Sequence, residues 1–136
     1  MNRNLKNKKL IVIEIHSNHL KTNQGHYWPK PFLSETKQIR LRDLKKKLKR
    51  QEKGSARSKK TVDLIQKIER RFAVRVVDYL HTVLKHVVVN YDIICVESHL
   101  PKQFKKVSDV EFEKLLMKIL HKKINFYGKE LISCGN

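Results

Sequence analysis

Tyr91-Asp92-Ile93-Ile94-Cys95-Val96-Glu97-Ser98-His99-Leu100 decides how the rest of the chain is read. Four apolar or small residues between two acids, rich in β-branched side chains, predict a strand from about Tyr91 to Glu97. Because both alternating faces are apolar, the strand is expected to lie centrally and to be covered on both sides. Its acid, Glu97, marks one end.

Upstream, Leu64, Ile65, Ile68, Phe72, Val76, Leu80, Val83 and Val87 keep helical spacing over more than six turns. Before them, Ile39, Leu41, Leu44 and Leu48 do the same, and Gly54-Ser55 separates the two runs. The spacing predicts a helical hairpin over about 36–88 with a basic tip. Downstream, a loop with Pro101 precedes Ser108 and Glu111, a capping-box pair. Phe112, Leu115, Leu116, Ile119 and Leu120 then predict a third helix running to Gly128, and Glu130 to Cys134 a short final strand. At the other end, the basic leader MNRNLKNKK precedes LIVIEI (Leu10–Ile15), a second buried-strand pattern with one acid, Glu14, inside it. A turn at Gln24-Gly25, a strand at His26-Tyr27-Trp28 and another near Phe32 complete the expected order β-β-β-α-α-β-α-β.

At 136 residues the chain is expected to form a single domain over 1–136. Its 31 Lys and Arg against 13 Asp and Glu give a net charge of +18, which calls for a polyanionic partner, and nucleic acid leads. The periodic apolar blocks exclude a disordered basic tail. No apolar run approaches the 18 or so residues of a membrane span, so a soluble cytoplasmic protein without a membrane partner is expected. Two cysteines, Cys95 and Cys134, exclude a multi-bridge disulfide framework and a four-cysteine zinc site; Cys95 reads as a core residue. Phosphate-binding glycine loops, nucleophile elbows and dinucleotide fingerprints are absent from the sequence.

A carboxylate inside an apolar strand is expensive unless it is paired or bound to a cation. If the Glu14 and Glu97 strands are parallel neighbours about 4.8 Å apart, their carboxylates at matching heights would share a divalent ion. The plainer reading, that each acid marks where its strand meets solvent, stands beside this. His16, His19 and His26 offer transition-metal ligands or simply solvated imidazoles. Tyr27 and Trp28 would stack on a base or close the core. Residues 37–75 carry 16 basic and 4 acidic side chains. Lys45, Lys46, Lys47, Lys49, Arg50, Lys53, Arg57, Lys59 and Lys60 there are the candidate phosphate contacts.

Three stretches together, YDIICVESHL (91–100), the hairpin tip KRQEKGSARSKK (49–60) and FEKLLMKILHKKINFYGKEL (112–131), resemble the RuvC-like nuclease region of the TnpB (OrfB) family. These transposon-encoded proteins are akin to type V CRISPR effectors, and the likeness runs from Leu10 to Asn136. The resemblance implies an RNase H-like α/β fold, here an incomplete mixed sheet with an inserted basic hairpin, and a magnesium-dependent DNA endonuclease guided by RNA. Glu97 falls on the acid of the family's second motif. Glu14, in VIEIHSNHLKTNQGHYWPKPF (12–32), falls where the family has Asp in an IDxG pattern, and Gly25 with Pro29 or Pro31 matches its later G and NP positions.

The departures shape the expectation. Glu14 replaces Asp, His16 replaces Gly, and the family's third motif with its final Asp is not found. SCGN (133–136) matches only half of a zinc knuckle, CxxCG, so no zinc is expected, while Glu14 and Glu97 would hold magnesium. The resemblance thus implies a truncated transposase-associated domain that binds DNA, RNA or a hybrid, with impaired catalysis unless a companion chain supplies the third acid. The alternative is a non-catalytic, transposon-derived nucleic-acid-binding or regulatory protein.

Overall fold

A computed structural model of the chain describes residues 7–101, 103 and 106–133. The elements are β1 (Leu10–Ile15), β2 (His19–Thr22), β3 (Tyr27–Pro29), α1 (Glu35–Arg50), α2 (Ala56–Asn90), β4 (Ile93–Ser98), α3 (Val107–Tyr127) and β5 (Glu130–Ser133). This is an α/β chain with one five-stranded mixed sheet, ordered β3-β2-β1-β4-β5. The strand pairs β1–β2 and β2–β3 are antiparallel, whereas β1–β4 and β4–β5 are parallel. The described residues of 1–30 and 79–136 form one compact unit, which holds the sheet, and Pro31–Asp78 forms the other.

In the sheet unit, alternation decides what is buried. Ile11, Ile13 and Ile15 of β1 are fully buried, with Leu20 of β2 and Ile94 of β4. Leu80, Leu84, Val87 and Val88 of α2 and Leu116 and Leu120 of α3 complete this core. Each such side chain contributes on the order of 1.5–3 kcal/mol of transfer free energy. The alternate residues of β1, Leu10, Val12 and Glu14, are exposed or half-buried. The expectation of an interior strand covered on both sides holds at its middle, where the consecutive residues Ile94 and Cys95, on opposite faces of β4, are both buried, whereas Ile93, Val96 and Glu97 are only partly covered. An apolar run identifies a strand without saying how far along it the cover extends.

The short edge strands also fall differently. HLKT, which carries no strand in the sequence-based order, is β2, held to β1 by register Ile13↔Thr22, Glu14↔Lys21 and Ile15↔Leu20. The loop Asn23-Gln24-Gly25, with Gly25 at φ +92°, turns the chain into β3, and the Thr22 N–H donates to His26 O at 3.1 Å. No strand forms near Phe32, which is 73% exposed. Trp28 is half-buried, and its carbonyl accepts the Tyr79 hydroxyl at 2.6 Å; burial pushes that phenol's pKa up. Tyr27, 59% exposed, does not close the core.

Helix α3 starts on Lys106 with no side-chain cap, so the Ser108/Glu111 capping box is not used. Ser108 lies inside the first turn, two residues too late to cap it. Gly128 ends the helix in the left-handed region at φ +66°. Residues 1–6 of the leader, and Cys134, Gly135 and Asn136 of the SCGN match, lie outside the described residues.

In the Pro31–Asp78 unit, the Ser34 hydroxyl accepts from the Lys37 N–H and starts α1. Gly54, at φ +79°, turns the chain, and the Ser55 hydroxyl accepts from the Ser58 N–H at the start of α2. Leu44 and Ile65 are buried. Ser58 and Thr61, also buried, donate their hydroxyls back to Ser55 O at 2.9 Å and Arg57 O at 3.0 Å, so neither is left unsatisfied. The helical hairpin thus spans α1 and α2, close to the 36–88 expected.

Candidate functional site

Glu14 and Glu97 are direct partners in the parallel β1–β4 register. Side chains opposite one another in such a pair project from the same face, so the two carboxylates stand side by side near the ends of their strands. Both strands then continue with the same two-residue step to an imidazole: Glu14-Ile15-His16 and Glu97-Ser98-His99. The ladder extends one rung beyond the strands, because the His99 N–H donates to Ile15 O at 2.8 Å. That rung brings His16 and His99 together, and their rings stack at 4.7 Å between centroids.

His19 joins from the third strand of the row. Ser17-Asn18 makes a two-residue turn, closed by the His16 N–H donating to His19 O at 3.0 Å. The two histidines flanking the turn therefore share a face and stack at 4.4 Å. Tyr27 lies beyond, 4.7 Å from His19.

The polar contacts converge on the acids. The His16 Nε2–H donates to Glu14 Oε1 at 3.0 Å, and the His99 Nε2–H donates to Glu97 Oε1 at 2.7 Å. His99 Nε2 also lies 3.7 Å from Glu14 Oε1. The His16 hydrogen bond is the main influence holding the Glu14 carboxyl below its ordinary pKa, with the charge field of His99 adding to it against burial. Burial pushes the His19 pKa down. The side chains of Glu14, Glu97 and His99 remain 20%, 30% and 40% exposed, so the cluster is open to solvent.

Among the described residues, Glu14, His16 and His99 hold ligand atoms within 4.8 Å of one another. This donor set does not fit the magnesium implied by the family resemblance. Magnesium takes oxygen ligands in a near-octahedral shell. Here an imidazole nitrogen reaches toward both carboxylates, in the space a shared ion would fill. His26 is not part of the group. It stacks on Trp28 at 5.2 Å, meets His86 edge-on, and hydrogen-bonds the Thr22 hydroxyl.

His99 was missed from the sequence. Its signal was the repeated E-x-H step, which puts acid and imidazole on one face in both acid-bearing strands.

The basic candidates form a separate set. Lys45, Lys46, Lys47, Lys49, Arg50, Lys53, Arg57, Lys59 and Lys60 are all exposed. Lys45 pairs with Glu69 at 3.2 Å; among the described residues the other eight have no ion-pair partner. Arg42, Lys45, Lys46 and Lys49 recur at three- and four-residue steps along α1 and line one shallow groove with Leu33 and Leu41. The Pro31–Asp78 unit carries 16 basic and 6 acidic residues, a net charge of +10.

No family model matches the chain, and no curated protein matches it. No helix among the described residues is long and apolar enough to cross a membrane.

Proposed function

We propose that the chain is a nucleic-acid-binding domain of the RNase H-like, RuvC type, resembling the TnpB (OrfB) proteins of mobile elements, and that its own acid pair does not cut. The observation that carries the binding is the row of exposed, largely unpaired cations on the hairpin. Held on two helices and the turn between them, these cations neutralise phosphates and release condensed counterions, which gives affinity with little base preference. The fold reading is supported by the mixed sheet and by Glu14 opposite Glu97 on adjacent parallel strands. The non-cutting reading is supported by His99, which draws the two carboxylates onto an imidazole. Transposition and DNA recombination are the setting this resemblance suggests, with DNA, RNA or their hybrid as the partner.

The test is fluorescence anisotropy with mixed-sequence single-stranded, duplex and hybrid probes over a salt series. Binding should weaken steeply with salt. Charge reversal at Lys46, Lys47, Arg50, Lys59 and Lys60 should lower affinity and flatten the salt slope far more than reversal at Lys85, Lys106, Lys114, Lys118 and Lys122. Equal losses from the two sets would mean that global charge, and not the hairpin, does the binding.

A further inference from the structure

The mismatch between the donor set and magnesium has a constructive side. We propose that Glu14, His16 and His99 form a mononuclear site for a borderline divalent transition ion of the zinc class. Two imidazoles and one carboxylate are a donor combination suited to such ions, and the first-row affinity order favours zinc over manganese at sites of this type.

The geometry supports one shared ion. With metal–ligand bonds of about 2.0–2.1 Å, tetrahedral ligands stand about 3.3 Å apart. Glu14 Oε1 lies 3.0 Å from His16 Nε2 and 3.7 Å from His99 Nε2. The two separations straddle that value, and all three ligand atoms lie within 4.8 Å. The backbone fixes both ligand-bearing segments through the β1–β4 ladder and its last rung, the His99 N–H on Ile15 O. Closing on an ion therefore requires rotation of partly exposed side chains and no change of register. Binding through Nε2 moves each ring proton to Nδ1, and the carboxylate exchanges its hydrogen bond for a bond to the metal. Glu97, released from His99, is left beside the ion as a fourth ligand or as an acceptor for a bound water.

The expectation of no zinc rests on the half-matched cysteine knuckle, and the candidate transition-metal ligands in the sequence are His16, His19 and His26; His99 belongs to neither set. The site does not depend on nucleic-acid binding, so a chain that takes up zinc but ignores every nucleic-acid probe would sink the function proposed above and leave this inference intact.

Calorimetric titration of the metal-free full chain with zinc, with and without a large excess of magnesium, tests the site. One zinc per chain should bind, unaffected by magnesium. Cobalt(II) added in place of zinc should give visible absorption bands that zinc abolishes. His99→Ala and His16→Ala should each weaken zinc binding at least tenfold, whereas His26→Ala and His86→Ala, which remove the other histidine pair, should change it less than twofold. Glu14→Gln, which keeps the side chain's size, provides a further variant if either alanine form melts at much lower temperature. Unchanged zinc affinity in the His16, His99 and Glu14 variants, or competition by magnesium at comparable concentration, overturns the proposal.

Discussion

Asp92 joins two segments far apart in sequence through one carboxylate. It accepts the Lys9 N–H at 2.9 Å, just before β1, and pairs with Lys129 at 3.4 Å, just before β5. The Lys9 hydrogen bond is the main reason its pKa lies below the ordinary value, with Lys129 adding to it against desolvation. A depressed carboxyl pKa contributes stability that is fully present above the unfolded value of about 3.9 and is lost as pH falls through the folded value. Asp92→Asn should therefore be less stable than the parent at neutral pH, and the gap should narrow as the solution is acidified below about pH 4. Urea unfolding of both proteins across that range checks it; a gap that widens in acid contradicts the assignment. At this same scale Glu14 and Glu97 were legible in the sequence because an acid in an apolar strand is conspicuous. His99 was hidden because its role depends on which strands are neighbours, and a local pattern carries no information about pairing partners.

The elements divide along similar lines. Long periodic segments such as α1 and α2 were readable because a helix repeats its signal over many turns, and β1 and β4 because their apolar runs are dense. The weak point was β2, whose four residues include only one large apolar side chain, Leu20, and whose existence depends on its ladder to β1. Phe32 attracted a strand assignment through its hydrophobicity alone. The structure makes a sharp contrast of the two: Leu20 is fully buried and Phe32 is 73% exposed. Leu20→Ala should lower stability by about 2–5 kcal/mol, the usual range for a buried leucine that leaves a cavity. Phe32→Ala should change it by no more than about 0.5 kcal/mol. Equilibrium denaturation of the two variants distinguishes them, and a comparable loss from both would mean that Phe32 is packed. The unused capping box at Ser108 has a related cause: the pattern fixes a spacing of three residues but not the point where the backbone first turns, which here is Lys106.

Over the whole molecule, charge and chemistry occupy different places. The +10 of residues 31–78 makes up more than half of the net +18, while the acid and histidine cluster sits at the ends of β1 and β4 in the other unit. Phosphate binding by the hairpin does not by itself make a nuclease. Two-metal cleavage needs ions about 3.5–4 Å apart that stabilise both the attacking and the leaving oxygen. The tight group around Glu14 supplies one carboxylate and two imidazoles to that task, and Glu97 is engaged by His99. The purified chain should therefore leave DNA and RNA uncut with magnesium or manganese, even at concentrations where it binds them. Glu14→Asp alone should not restore cutting. It shortens the side chain by one carbon–carbon bond of about 1.5 Å and draws the carboxylate back from His16 and His99, but it adds no ligand. Displacements near 1 Å can change rates by about a hundredfold, so introducing the Asp of the proteins the sequence resembles, with no further ligand, changes one distance and leaves the donor set short of two-metal chemistry. Gel assays with end-labelled DNA and RNA decide this. Cleavage by the unmodified chain that disappears in Glu97→Ala would show that two carboxylates suffice, and would make His99 a participant in the reaction instead of an obstacle to it.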